Sequence, residues 1–230
     1  MNNYIDYKKI ISLFPKKREE RLRSIKRFSM FEVFFYRSSL WHHELRVFFI
    51  TSELSKIAEK VLPNYDAKKA CLIALFHDDA EIITGDIQLG HKQLMTKQQL
   101  EQVDKEEAQA IEDLSKEFPK EIEGYEYKEL LYYALHKDCV EAQLVSYADK
   151  LDAYCESLHE LFGGNISATR AVISYTNIIK DLRNKFTALK KLFDYKDSPL
   201  ANLELRTDPM KAHLKNYLHL NKPHTKESII

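Results

Sequence analysis

"KKACLIALFHDDAEIITGDI", Lys68 to Ile87, sets an apolar helical run against one histidine and four carboxylates. Ala70, Ile73, Ala74, His77 and Glu81 recur at helical spacing, which predicts one helix over 66–84 with an inward stripe. Charge in such a run is costly unless solvent, an ion pair or a metal compensates it. His77 and Glu81 stand four residues apart, so on a helix their side chains project together. Asp78 lies beside Cys71, Leu75 and Ile82, a setting that an unpartnered carboxylate does not tolerate. Asp79 falls on another face and is expected to be solvated.

The helical period continues along the chain. Five Gly and 6 Pro in 230 residues leave little punctuation. The spacing predicts helices near 4–13, 17–30, 40–61, 66–84, 97–117, 126–136, 139–162 and 168–194, with a shorter one over 208–219. Breaks fall at Pro15, "LPNYD" (62–66), "TGDIQLG" (84–90), "FPKEIEG" (118–124) and "FGGN" (162–165). No window alternates as a strand would, and no repeat period emerges. The expected fold is all-α: a helical bundle over residues 1–195, then a C-terminal helical extension and frayed tail over 196–230.

Hydrophobic residues make up 44% of the chain, enough for a substantial core. Thirty-five basic residues balance 35 acidic ones, so no global field attracts a nucleic acid polymer or an anionic membrane. An anionic substrate must be drawn by a local site. Cys71, Cys139 and Cys155 are odd in number and lack metal-like spacing, which fits reduced thiols in a cytoplasmic protein. The first twenty residues carry no signal-peptide apolar region, and no run is long enough to span a membrane. A soluble intracellular protein is expected.

Two other segments supply partners for the opening stretch. His43 shares a stripe with Val47, Ile50, Leu54, Ile57 and Val61 and is the inward histidine. Its neighbour His42 shares a wetter face with Arg46, Phe49, Glu53 and Lys56. In "AQLVSYADKLDAYCESL" (142–158), Asp149 flanks an apolar stripe through Leu144, Ala148, Leu151, Cys155 and Leu158. Asp152, three residues on, is placed to reinforce a site or to pair with a lysine. Taken singly, His43 reads as a core histidine with one hydrogen bond, and Asp149 as a lysine partner. Together with Asp78 they favour a metal, since imidazole and carboxylate are ordinary ligands of divalent ions.

In combination these segments resemble the HD-domain metal-dependent phosphohydrolases. "HHELRV" (42–47) is similar to that family's H-x-x-x-V opening. "FHDDAEIITGDI" (76–87) resembles the HDxxExxxGD segment of its 5′-deoxynucleotidase, YfbR-like, branch. "EAQLVSYADKLDAY" (141–154) resembles the E-A-x-x-V-x-x-x-D-K-L-D-x-Y segment of the same branch. The resemblance implies an HD-domain helical bundle in which His43, His77, Asp78 and Asp149 bind one divalent cation (Mn, Co, Mg, Zn or Fe). It also implies that Glu81 and Asp86 line the reaction centre as its catalytic carboxylates. "KRFSMF" (26–31) looks like the branch's Arg-Trp pair, which makes Arg27 and Phe28 substrate-binding residues, with Phe replacing Trp. After Asp86, "IQLGHKQL" (87–94) stands where the branch carries a proline-containing loop, and neither His91 nor Lys92 is assigned a role there.

The implied reaction is hydrolysis of a (deoxy)nucleoside 5′-monophosphate to nucleoside and phosphate, by a homodimer. Three alternatives remain. An alarmone or cyclic-nucleotide phosphodiesterase is one, although Ile82 occupies the last acidic position of the alarmone hydrolases' HDxxED. A two-metal phosphodiesterase or di-iron oxygenase is another, and it needs further histidines where only His91 and His136 lie. The third is a non-catalytic helical binding module.

Overall fold

The computed structural model describes residues 4–29, 32–34, 37–87, 89–92 and 94–197. Asp6 opens α1 (Tyr7–Ser12), its carboxylate accepting from the amides of Lys8 and Lys9. Next comes α2 (Lys16–Ser24), which ends six residues before the predicted position 30. The chain there turns into a short backbone bridge: the Arg27 amide donates to Ser38 O at 3.0 Å and the Leu40 amide to Ile25 O at 3.2 Å. That bridge lays Arg27 against the start of α3 (Leu40–Val61).

Asp66 caps α4 (Ala67–Phe76) through the Lys69 amide at 2.9 Å. The predicted helix over 66–84 does not run through. After Phe76 the amides of Asp79, Glu81 and Ile82 bond three residues back, to Phe76 O, Asp78 O and Asp79 O at 3.0, 2.9 and 3.0 Å. This tight turn leads into α5 (Glu81–Thr84), which stops at Gly85, where φ is +76° and a side chain would be strained.

Asp79 explains the turn and corrects an expectation. It is fully buried, not solvated. Its carboxylate accepts from Arg18 Nε at 2.9 Å, Arg18 Nη2 at 2.7 Å and the Tyr127 hydroxyl at 2.7 Å. Arg18 comes from α2, and helical spacing around residue 79 carries no trace of it.

Further along lie α6 (Leu89–Lys92), α7 (Lys97–Glu117), a hairpin of β1 (Glu121–Ile122) and β2 (Tyr125–Glu126), α8 (Tyr127–His136) and α9 (Val140–Phe162). The predicted helix over 168–194 divides into α10 (Thr169–Lys185) and α11 (Lys190–Phe193). Phe186, buried and non-helical at φ −90° and ψ 68°, turns the chain back onto the core between them.

In the bundle α3, α4 and α9 pack against one another, α10 runs along α9, and α7 lies on α8 and α5. One apolar cluster gathers Phe48, Leu72, Phe76 and Tyr127, and another gathers Leu54, Tyr147, Val172 and Leu189. Apart from the two-residue strands the described architecture is all-α, as expected. The helix expected over 208–219 and the tail lie outside the described residues. No described helix is long and apolar enough to cross a membrane.

Candidate metal centre

The three packed helices α3, α4 and α9 deliver His43, His77 and Asp149 to one point, with donor atoms within 4.8 Å of one another. His43 Nε2 stands 3.2 Å from His77 Nε2, 3.2 Å from Asp149 Oδ1 and 3.3 Å from Asp78 Oδ2. Asp78 Oδ2 is also 3.4 Å from His77 Nε2. His77 follows the last residue of α4, so the turn that buries Asp79 also sets the ring's direction.

Both rings are held from behind. His77 Nδ1 donates to the Ala74 carbonyl at 2.9 Å, and His43 Nδ1 donates to Asp152 Oδ2 at 2.7 Å. Arg27 Nη1 also lies 2.7 Å from His43 Nδ1. A guanidinium only donates, however, and it finds acceptors in Asp152 at 3.2 Å and Glu156 at 3.1 Å. We therefore place the ring proton toward Asp152. With both rings neutral, each Nε2 presents its lone pair to the other, a repulsive pairing that a proton on His43 Nε2 or a cation between the rings turns into attraction. Two imidazole nitrogens and two carboxylate oxygens, each ring oriented by a second partner, fit a divalent ion.

Asp152 thus reinforces the site, and its ion pairs are with arginines rather than a lysine: Arg46 Nε and Nη2 donate to it at 2.6 and 3.0 Å. Burial and Arg27 push the His43 imidazole down, but hydrogen bonds to Asp149, Asp152 and Asp78 outweigh them and hold it well above its ordinary value. Burial lowers His77, against the pull of Asp78. Asp78 and Asp149 both sit below the usual carboxylate range despite burial, Asp78 chiefly through His77 and Asp149 chiefly through Lys150. The oxygens of Asp149 are divided: Oδ1 faces His43, and Oδ2 accepts from Lys150 Nζ at 2.6 Å.

The centre opens on a cavity of about 260 Å³. Arg27, Phe28, Glu81 and Asp86, all expected near the reaction, line it with His77, Asp78 and Asp149, while His43 is enclosed behind the wall. Phe28 is held at a positive φ of 56°, its ring 5.3 Å from the Arg27 guanidinium. Glu81 Oε2 is buried without a hydrogen-bond partner among the described residues. Burial, Asp78 and Asp86 together push the Glu81 carboxyl well above its ordinary value.

Sequence reading missed Glu156, Lys137, Lys150 and Tyr175. Lys150 was legible beside Asp149, and Glu156 one helical turn beyond Asp152. Lys137 and Tyr175 reach the cavity only because α8 and α10 pack beside α9. Lys92 lines the cavity and pairs with Glu107 at 2.9 Å. His91 is exposed, His136 stacks on Tyr132 with centroids 5.6 Å apart, and neither lines the cavity. His42 is exposed, within reach of Ser39 and Arg23.

An all-α bundle whose packed helices converge a His-His-Asp centre on a cation-lined cavity defines the class. Two solved structures share its architecture. A conserved hypothetical protein from Pyrococcus furiosus is 27% identical, with a TM-score of 0.54 over 76% of this chain and 99% of that one. An HD-domain phosphohydrolase from Listeria innocua, 17% identical with a TM-score of 0.59 over 88% of this chain and 97% of that one, is a likeness of fold alone. The profile of the 5′-deoxynucleotidase YfbR-like family matches residues 18–193, and the chain belongs to that family. A 5′-deoxynucleotidase of Yersinia pestis is 35% identical over 127 residues, which is 54% of this chain and 61% of that protein. One from Vibrio parahaemolyticus is 30% identical over 124 residues, 54% of this chain and 62% of that protein. The chain therefore spans about three fifths of the length of these curated relatives.

Proposed function

We propose that the chain is a metal-dependent 5′-nucleotidase that hydrolyses (deoxy)nucleoside 5′-monophosphates to nucleoside and phosphate, with its hydrolase domain over residues 1–195. One observation carries this reading: the two facing Nε2 atoms, 3.2 Å apart, with the Asp149 and Asp78 oxygens beside them at the wall of a cavity. His43, His77, Asp78 and Asp149 would hold one divalent cation, which supplies activation of a water and offsets charge on the phosphoryl group. Two imidazole ligands favour Zn, Fe, Co or Mn over Mg.

The remaining work falls to side chains of this chain. Glu81, with its raised pKa and unpartnered oxygen, is suited to take a proton from water and return it to the departing 5′-oxygen. Asp86, past the Gly85 break, orients the water. Phe28 offers an aromatic face for the sugar or base, with Arg27 behind it. Arg27 spends its Nη1 on Asp152 and Glu156, so it steadies the His43–Asp152 pair as well as facing substrate.

With His91 and His136 outside the cavity, a two-metal reading has no further histidine to draw on among the described residues. We include in the proposal a cytoplasmic location, with the free thiols reduced, and a homodimer. Exposed Phe162, Ile166 and Ile173, at the α9–α10 connection, offer apolar surface for a second copy. A panel of ribo- and deoxynucleoside 5′-monophosphates, assayed for phosphate release with Mn, Co, Mg, Zn and Fe, tests the reaction. Release from none of them overturns it.

A further inference from the structure

Four cationic side chains line the cavity: Arg27, Lys92, Lys137 and Lys150. Three are already neutralised. Arg27 meets Asp152 and Glu156 at 3.2 and 3.1 Å, Lys92 meets Glu107 at 2.9 Å, and Lys150 meets Asp149 at 2.6 Å. Lys137 has no ion-pair partner among the described residues. Its Nζ donates to the Leu135 carbonyl at 3.2 Å, and its other two N–H groups have no acceptor among the described residues.

The backbone at Lys137 is a second, independent sign. It caps α8 in the left-handed conformation, φ 57° and ψ 37°, with its amide bonded to Tyr133 O at 2.9 Å. Helices that end this way favour Gly, which has no Cβ to crowd the following carbonyl, or Asn, whose short polar group bonds locally. A lysine in that place carries strain, and a half-buried one gives up hydration as well. Both costs are offset if the ammonium meets an anion in the cavity. Burial and the neighbouring Lys150 charge also press the Lys137 ammonium toward losing its proton, and a bound anion relieves that pressure.

We propose that Lys137 is the residue that binds the substrate's phosphate, its ammonium donating to non-bridging phosphoryl oxygens across the cavity from the metal centre. This rests on the phosphohydrolase reading above. A compact ammonium suits a dianionic phosphate as a point charge, whereas a base or sugar would leave its charge uncompensated.

The test uses the full metal-loaded chain. Inorganic phosphate binding is measured by calorimetry, and phosphate release from a 5′-monophosphate by steady-state kinetics. Lys137→Met is expected to weaken phosphate binding about tenfold or more, the loss typical of a charged hydrogen bond. Its kcat/KM falls by a similar factor, mostly through KM, and Lys137→Arg recovers most of the loss. Lys137→Gly, freed of left-handed strain, melts no lower than wild type yet binds phosphate as weakly as Lys137→Met, which separates binding from folding. Wild-type phosphate affinity in both Lys137→Met and Lys137→Gly overturns the assignment, and so does a wild-type protein that binds no phosphate. A wild type that binds phosphate through Lys137 but hydrolyses no monophosphate supports the anion site and overturns the nucleotidase reading alone.

Discussion

Removing the Asp79 carboxylate tests the reasoning most directly, because a solvated residue and a buried clamp predict opposite results. Asp79 accepts three hydrogen bonds of 2.7–2.9 Å, two from Arg18 and one from Tyr127, and is fully buried. Arg18, 2% exposed, lies against the touching rings of Phe14 and Phe76, its Cζ 5.0 and 5.1 Å from their centroids. Its other partners are the Leu75 carbonyl and Glu44, both at 2.9 Å. Burial pushes the Glu44 carboxyl well up, so Glu44 is a weak substitute as a counter-charge. Asp79→Ala leaves the guanidinium poorly compensated and the Tyr127 hydroxyl without its acceptor. Breaking a buried ion pair from one side costs about 3–5 kcal/mol. At about 2–4 °C per kcal/mol for a chain of this size, Tm falls by roughly 6–20 °C. Thermal and urea unfolding of the full chain measure this, with Asp79→Asn, which keeps one acceptor, falling in between. Arg18→Met in the Asp79→Ala background should recover part of the loss by removing the stranded charge. A change within about 0.5 kcal/mol, as at an ordinary surface site, refutes the clamp.

Five further outcomes follow from the centre. Asp152→Asn loses the carboxylate that orients His43, and metal affinity falls about 10–100-fold in a competition titration; wild-type affinity would contradict that role. His43→Ala and Asp149→Ala each reduce the metal content of the purified protein, and unchanged content in both would dismiss the four-ligand set. Glu81→Gln keeps its metal and loses about 10²–10⁴ in turnover; near-normal turnover would remove the proton-carrying role. The same variant has a stability signature in the metal-free protein. Glu81 holds its proton in the folded state at pH values where the unfolded chain, near pKa 4.3, has lost it, so its contribution falls as pH rises through that window. Glu81→Gln abolishes that fall, and the metal-free variant should be more stable than wild type at neutral pH. The sign at Asp152 is the reverse, because His43 and Arg46 outweigh burial and depress its pKa. Its stabilisation is complete above about pH 3.9 and is lost as pH drops toward the folded value, which acid unfolding of Asp152→Asn would reveal as a flatter limb.

Much of the molecule was legible in one dimension. Helical spacing marked α3, α7, α8 and α9 within a residue or two of their ends, because a long amphipathic helix repeats the same core-facing signal along its length. It also marked His43 as inward. The three motif segments together carried the family resemblance, which the profile match over residues 18–193 bears out. Spacing failed where a helix stops for a reason held elsewhere in the chain. The helix through His77 breaks because Arg18 and Tyr127 draw Asp79 inward, and α10 ends because Phe186 is drawn into the core.

The sequence by itself therefore determined the helical class and, where a helix runs unbroken, which residues share a face, since both are properties of local periodicity. Only the tertiary structure decided what each face meets. It showed that Asp79 is a buried clamp, that Asp152 holds His43 from behind, and that Lys137 lines the cavity with no ion-pair partner among the described residues. Those are contacts between residues far apart in the chain, and a helical period of 3.6 residues holds no information about which helix lies opposite.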